Sequence, residues 1–163
     1  MKDLEKIGAD FIVIPCNTVH HFIDEMQESI NIPILSIIEE TKKEILAQNI
    51  SHVGILASKT TIDLGLYNFK GIMVSSPNFF QQNKINGVIK AVMGGSHNNF
   101  HKNELNQIIN NYVENGVGAV VLGCTELPLA INQTHTKTKL FSTIDILALS
   151  TLKEAYKQLC RTN

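Results

Sequence analysis

Short runs of apolar residues alternate along the chain with longer segments that place apolar residues on one helical face. The unbroken run at residues 11–14 is typical of a strand buried on both faces of a parallel sheet. Further strands are predicted at 32–35, 52–57, 71–74, 118–122 and 140–142. Helices are predicted at 1–8, 19–26, 39–48, 61–67, 83–93, 103–115 and 146–159. Val19 and Phe22 are predicted in the apolar stripe of the second helix, and Val113 on the inner face of the sixth. The last helix is predicted to have Leu149, Leu152 and Tyr156 on its inner face. Strands that alternate with helices predict an α/β fold with parallel sheets.

Composition narrows the function classes. The chain has 163 residues, 44% of them hydrophobic, which suits one domain or two small halves around a cleft. A net charge of −1 argues against a nucleic-acid binder. No apolar stretch reaches the roughly 20 residues of a membrane helix, and Met1 is not followed by an apolar export segment. Three cysteines are too few for a disulfide framework, so a cytoplasmic location is predicted.

Two segments of the chain look like copies of one another. Residues 8–18 align with residues 116–126: in each, a glycine precedes a buried strand and a cysteine, Cys16 or Cys124, follows eight residues after that glycine. A threonine comes within two residues of each cysteine. One cysteine after a strand is most often a packing residue, but two in register predict an internal duplication that places two thiols in equivalent positions.

The predicted position of the thiols favours proton-transfer chemistry. Open α/β sheets bind ligands at the carboxyl ends of their strands, and a following helix N-terminus is expected to lower a thiol pKa. Two thiols across a cleft suit racemisation, in which one removes the α-proton and the other returns a proton to the opposite face. Asn17, Thr18 and Thr125 are polar neighbours for a carboxylate or an ammonium group. A redox pair is a weaker alternative, because neither cysteine lies in a C-x-x-C motif.

The motifs Cys16-Asn17-Thr18-Val19-His20 and Gly123-Cys124-Thr125-Glu126 resemble the paired signatures of the aspartate/glutamate racemase superfamily. Residues 8–11, 32–34, 38–41 and 53–57 also resemble its aspartate racemase branch. The resemblance implies two similar α/β halves with the active site between them, Cys16 and Cys124 as the acid/base pair, no pyridoxal phosphate or other cofactor, no metal, an acidic amino acid as substrate, and a homodimer. It further implies that Asn17, Thr18, Thr61, Thr125 and Glu126 surround the substrate.

The same resemblance predicts how the halves divide and where the chain departs from the family. The first half is expected to comprise residues 1–50 with a closing helix at 145–163, and the second half residues 51–144. The family begins with a strand and a glycine-rich loop ahead of the segment that matches Met1, so the first half is expected to be incomplete. Arg161, the only arginine, is not where the family holds its carboxylate-binding arginine.

These departures leave other functions open. One alternative is a truncated homologue without turnover, or a remnant that binds a small molecule. Superfamily members that isomerise maleate or decarboxylate malonates are a third possibility. A chain lacking part of its first sheet is also expected to be poorly soluble, or to dimerise through the exposed surface.

Several other polar residues have weaker functional signals. His20 is predicted either to orient the Cys16 loop or to lie on a helix surface. His97 and His101 are four residues apart, but they are expected in a loop and not in a metal site. The pair at residues 39–40 is predicted to open a helix, where acidic side chains suit the helix dipole.

Overall fold

The computed structural model describes residues 1–161, and the side chains of residues 1–160, as an α/β arrangement of short parallel strands with helices between them. The helices are α1 (Lys2–Lys6), α2 (Ile23–Glu28), α3 (Ile37–Ala47), α4 (Lys59–Asp63), α5 (Phe79–Met93), α6 (Asn99–Glu114), α7 (Leu127–Ala130) and α8 (Thr143–Arg161). The strands are β1 (Ile12–Val13), β2 (Ile34–Leu35), β3 (His52–Leu56), β4 (Met73–Ser75), β5 (Ala119–Leu122) and β6 (Lys139–Ser142). Short 3-10 segments cover Thr18–Phe22 and Gln133–His135.

The strands form two sheets in which every neighbouring pair is parallel. β1 pairs with β2, with Ile12 opposite Ile34. The larger sheet has the order β4-β3-β5-β6. The prediction of an α/β fold with parallel sheets is therefore confirmed. All of these strands point the same way within their sheet, so the residues that follow β3, β5 and β6 meet at one edge.

The core lies on both faces of the larger sheet. Along β5, Val120 and Leu122 face the side covered by α5, α6 and α7, whereas Ala119 and Val121 face the side covered by α3 and α8. This alternation follows from the two-residue period of a strand. Because both faces are covered, all four residues of β5 are buried, which explains the unbroken apolar run in the sequence.

Polar caps set the starts of the long helices. Ser36 caps α3 by accepting a hydrogen bond from the Glu39 backbone N–H, and Glu39 and Glu40 lie in its first turn, as predicted. α5 and α6 begin four residues earlier than predicted, at Phe79 and Asn99. Capping boxes open both helices, and in α6 the His101 side chain takes part in the box, so this histidine lies in a helix and not in the expected loop.

Two predicted helix faces are wrong. Residues 18–22 form a 3-10 segment, so Val19 and Phe22 are turned out to solvent while His20 is buried. In α6, Val113 was expected to face inward and is exposed. At residues 18–22, the three-residue period of the 3-10 segment rotates side chains away from the positions an α-helix would give them.

The inner face of α8 also differs from the prediction. Leu149, Leu152 and Tyr156 are 58%, 55% and 68% exposed, whereas Leu147 is 2% exposed and belongs to the core. α8 packs against α3. One neighbouring helix covers a narrower stripe than a sheet would, so the second apolar stripe of α8 stays outside.

The proposed boundary between two halves at residue 50 stays a prediction. The predicted location of the Arg161 side chain lies outside the described residues. None of the helices within residues 1–161 is long and apolar enough to cross a membrane.

Candidate active site

The loop that carries Cys16 is anchored to the start of α3 by a buried histidine. His20 Nδ1 lies 2.8 Å from the Cys16 carbonyl oxygen, and the Ile37 backbone N–H donates to His20 Nε2 at 3.2 Å. Because Nε2 accepts a hydrogen bond, the ring hydrogen must be on Nδ1, which donates to the Cys16 carbonyl oxygen. Burial lowers the pKa of His20, so the neutral ring that this arrangement needs is favoured. His20 therefore orients the Cys16 loop, which was one of its two predicted roles.

A buried chain of hydrogen bonds joins the first thiol loop to the end of β5. The Tyr67 hydroxyl donates to Asn17 Oδ1, and Asn17 Nδ2 donates to Thr143 Oγ1 at 3.3 Å. The Thr143 hydroxyl donates in turn to the Leu122 carbonyl oxygen at 3.0 Å. Asn17 is only 4% exposed, and burial raises the pKa of Tyr67 well above its usual range, so its hydroxyl stays a donor. Leu122 is two residues before Cys124, so this chain connects the two thiol loops.

Sequence reasoning missed both Tyr67 and Thr143. Thr143 directly follows β6, and the rule that ligands gather at the carboxyl ends of parallel strands could have identified it. Tyr67 belongs to no recognisable motif.

Close packing around Gly123, the residue before Cys124, leaves no free space for a side chain. The Gly123 backbone N–H extends the ladder by donating to Leu56 O at 2.7 Å. A Cβ at Gly123 would lie 2.7 Å from Ile55 Cδ1 and 3.2 Å from both the Ala57 Cβ and the Tyr67 ring. A larger residue would displace the end of the Ile55 side chain and press on Ala57 and the Tyr67 ring, so glycine lets the second thiol loop lie directly against β3.

Cys124 is paired with an acidic side chain. Its Sγ donates to Glu126 Oε2 at 2.9 Å, and the Thr125 hydroxyl donates to the same oxygen at 3.1 Å. Burial raises the pKa of Cys124 to about 12, and the hydrogen bond and charge of Glu126 act in the same direction. The Cys124 hydrogen bond in turn lowers the pKa of Glu126.

The expectation that a helix N-terminus lowers the pKa of this thiol is therefore wrong for Cys124. α7 has four residues and begins at Leu127, three positions after the cysteine. Burial and the neighbouring carboxylate dominate instead, and Cys124 is a protonated thiol at neutral pH.

A group of hydroxyls lies between the first thiol loop and α4. Thr18 Oγ1 is 2.8 Å from Thr61 Oγ1 and 3.5 Å from Ser58 Oγ. Ser58 caps α4 by accepting from the Thr61 backbone N–H. Thr61, predicted to bind substrate, is almost fully buried, while Thr18 and Ser58 are half-buried. Thr61 therefore fixes the position of the Thr18 hydroxyl from the buried side.

The loops that carry the two thiols are linked by the hydrogen bonds of Thr143 to Asn17 and to Leu122. A charge on Cys16 contributes to the raised pKa of Cys124, and a charge on Cys124 contributes to that of Tyr67. Of the residues predicted to surround a substrate, Asn17 and Thr18 directly follow Cys16, and Thr125 and Glu126 directly follow Cys124. Thr61 lies in α4, where its hydroxyl contacts that of Thr18. Cys160 is exposed on α8. Within residues 1–160, no three His, Cys, Asp or Glu side chains are grouped so as to hold a metal ion.

Residues 1–151 match the family model described as Asp/Glu/Hydantoin racemase, and the chain belongs to that family. The resemblance to the superfamily is thereby confirmed.

Individual relatives agree with this assignment. The chain is 29% identical over 153 residues to the broad specificity amino-acid racemase RacX of Bacillus subtilis, covering 91% of this chain and 66% of RacX. A crystal structure of an aspartate racemase homologue from Pyrococcus horikoshii OT3 superposes with a TM-score of 0.85 and 33% identity, covering 95% of this chain and 70% of that one. The Picrophilus torridus aspartate racemase superposes with a TM-score of 0.81 and 26% identity, covering 94% of this chain and 65% of that one. The chain spans less than half of the curated glutamate racemases it matches.

Proposed function

We propose that the chain is an amino-acid racemase that works without a cofactor, with Cys16 and Cys124 as the acid/base pair and an acidic amino acid as substrate. The observation that carries the proposal is the chain of buried hydrogen bonds that joins the Cys16 loop to the end of β5, two residues before Cys124. The membership of the family supports the reaction class. The names of the solved relatives, an aspartate racemase and an aspartate racemase homologue, support the substrate class.

The proposed reaction moves two protons and leaves no net change. The Cys16 thiolate removes the proton from Cα of one enantiomer, and the electron pair stays on Cα, delocalised into the carboxylate. The Cys124 thiol then donates its proton to the opposite face of Cα. Cys16 ends as a thiol and Cys124 as a thiolate, which is the state required for the reverse reaction.

The polar residues divide into those placed to touch substrate and those that hold them. Thr18 and Thr125 are half-buried at the ends of their loops, so they are placed to bind the amino and carboxyl groups. Glu126 stands beside Cys124 with a negative charge that suits a substrate ammonium group. Asn17 and Thr61 are buried, and their side chains bond to protein partners. We therefore propose that these two act by positioning Thr18 and the Cys16 loop.

Exchange of the α-hydrogen in D2O tests the catalytic proposal directly. The chain is incubated with each enantiomer of aspartate and glutamate, and with neutral and basic amino acids because RacX is named for broad specificity. Proton NMR follows loss of the Cα hydrogen. Cys16→Ser and Cys124→Ser should abolish exchange. Cys160→Ser is the matched control and should leave it unchanged, because this cysteine is exposed on α8.

The result that would overturn the proposal is exchange by the folded chain no faster than in the two active-site serine variants. Calorimetry with the same amino acids would then show whether the chain is a binding protein. Incubation with maleate and with a substituted malonate tests the other superfamily reactions. Faster exchange with neutral or basic amino acids than with acidic ones would contradict the proposed acidic substrate. It would still support racemase activity.

We also propose that the chain forms a homodimer in the cytoplasm. The apolar side chains of Leu149, Leu152 and Tyr156 are exposed along α8, which supports association through this surface. Sedimentation equilibrium tests the assembly, and a monodisperse monomer with a high melting temperature would contradict it.

A further inference from the structure

The carboxylate of Glu126 points at the sulfur of Cys124. Glu126 Oε2 accepts hydrogen bonds from both Cys124 Sγ and Thr125 Oγ1, at 2.9 and 3.1 Å. A tight turn produces this geometry: the Leu127 backbone N–H donates to the Cys124 carbonyl at 3.2 Å, which folds the side chain of Glu126 back over the cysteine. The Thr125 hydroxyl fixes the oxygen that receives the thiol hydrogen.

No opposite charge competes for this carboxylate. Among the described side chains, Glu126 takes part in none of the ion pairs, all of which involve other acidic residues. The titratable groups that interact electrostatically with Cys124 or Glu126 are each other and Cys16, with Tyr67 responding to Cys124. All of these groups are neutral or negative, so in the site without substrate a negative charge on Cys124 would face the charge of Glu126 with no cation between them.

We propose that Glu126 is a positioning residue that holds Cys124 as a protonated thiol and aims its hydrogen. The resting site then has Cys124 as the proton donor to Cα and Cys16 as the proton acceptor. When Cys124 gives its proton to Cα, the hydrogen bond to Glu126 breaks and two negative groups are left about a hydrogen-bond length apart. That repulsion favours the return of a proton to Cys124, taken from Cα in the reverse reaction or from solvent. The proton-donor assignment rests on the proposed racemase function, whereas the pairing of Glu126 with the thiol does not.

Alkylation of a single cysteine tests the pairing without any substrate. In the full chain carrying Cys16→Ser and Cys160→Ser, Cys124 is the only thiol, and its rate of reaction with iodoacetamide follows its thiolate fraction. Glu126→Gln removes the charge and supplies an amide N–H, so we expect alkylation at pH 8 to become at least tenfold faster. Glu114→Gln is the matched control, because Glu114 is exposed at the end of α6, before β5, at the opposite edge of the sheet. It should change the rate less than twofold.

A second measurement follows the pH dependence of the same reaction. The pH at which the alkylation rate reaches half its maximum should be lower in Glu126→Gln than in the parent single-cysteine chain, and an equal midpoint would overturn the proposal. An unchanged rate in Glu126→Gln with a native circular dichroism spectrum would overturn it as well. A purely structural role of Glu126 at the start of α7 would leave both readouts where they are.

The two proposals fail differently. Loss of α-hydrogen exchange together with an intact effect of Glu126→Gln on alkylation would remove the racemase and keep the pairing. Exchange of the α-hydrogen together with an unchanged alkylation rate in Glu126→Gln would support the racemase and overturn the pairing of Glu126 with Cys124. In an active chain, Glu126→Gln should also move the alkaline limb of the pH–rate profile for α-hydrogen exchange to lower pH.

Discussion

Thr143 connects the two thiol loops, and replacing it with valine should loosen both. The substitution keeps the shape of the side chain and removes only the hydroxyl. That hydroxyl accepts from Asn17 Nδ2 at 3.3 Å and donates to the Leu122 carbonyl at 3.0 Å. Thr143 is fully buried and Asn17 nearly so, so water cannot readily replace the lost partner.

The expected loss of stability follows from these two bonds. Each intramolecular hydrogen bond contributes about 0.5–1.5 kcal/mol net, and a buried donor left without an acceptor costs about 1–3 kcal/mol. The shape of valine leaves no cavity, so no further cost arises from packing. We therefore expect Thr143→Val to lower the free energy of unfolding by about 2–4 kcal/mol.

Urea denaturation with an unchanged m-value measures the effect. The matched control is Thr151→Val on the same helix, where the hydroxyl donates only to the Leu147 carbonyl one turn earlier and the side chain is half-buried. It should change the stability by no more than about 0.5 kcal/mol. Thr143→Val should also slow α-hydrogen exchange at least tenfold, because misplaced catalytic groups are costly, and Thr143→Ser should restore it. Equal stability of the two valine variants would refute the reasoning.

Three further predictions concern packing and pH. Gly123→Ala should cost about 1–3 kcal/mol because its Cβ would meet β3, whereas Gly87→Ala, with open space around it in α5, should gain up to about 1 kcal/mol. The lowered pKa of His20 means that its contribution to stability is complete above pH 6.5 and is lost as the pH falls, so His20→Gln should flatten this part of the stability–pH curve. Leu147→Ala should cost about 2–4 kcal/mol, whereas Leu152→Ala on the exposed face of α8 should cost less than about 1 kcal/mol.

Each of these predictions has an outcome that contradicts it. Equal stabilities of the two glycine variants would mean that the Cys124 loop has room for a Cβ. A stability–pH curve that is the same with glutamine at position 20 would mean that protonation of His20 does not disturb its bond to Ile37. A larger loss of stability for Leu152→Ala than for Leu147→Ala would support the sequence-based prediction that Leu152 lies on the inner face of α8.

The strands and the thiol loops were the most predictable parts of the molecule. β3 and β5 are buried on both faces, so nearly all of their residues are apolar. Such runs can be recognised in the sequence without knowing which elements pack against them. The two cysteines could be placed at strand ends for the same reason. The helix faces were harder. On α8, four-residue spacing marks two apolar stripes, and only the position of α3 determines that Leu147 lies inside and Leu149 outside.

By itself, the sequence determined the α/β class, the parallel sheets, the duplicated glycine–strand–cysteine segments and the family, because each depends on residues close together along the chain. The tertiary structure decided how the thiol loops are held and that Cys124 is a protonated thiol. The bonds of Asn17 to Thr143 and Tyr67 join residues 126 and 50 positions apart, and no local pattern encodes such a contact. The raised pKa of Cys124 likewise depends on burial and on the direction of the Glu126 carboxylate, so proximity to a helix start predicted the wrong sign.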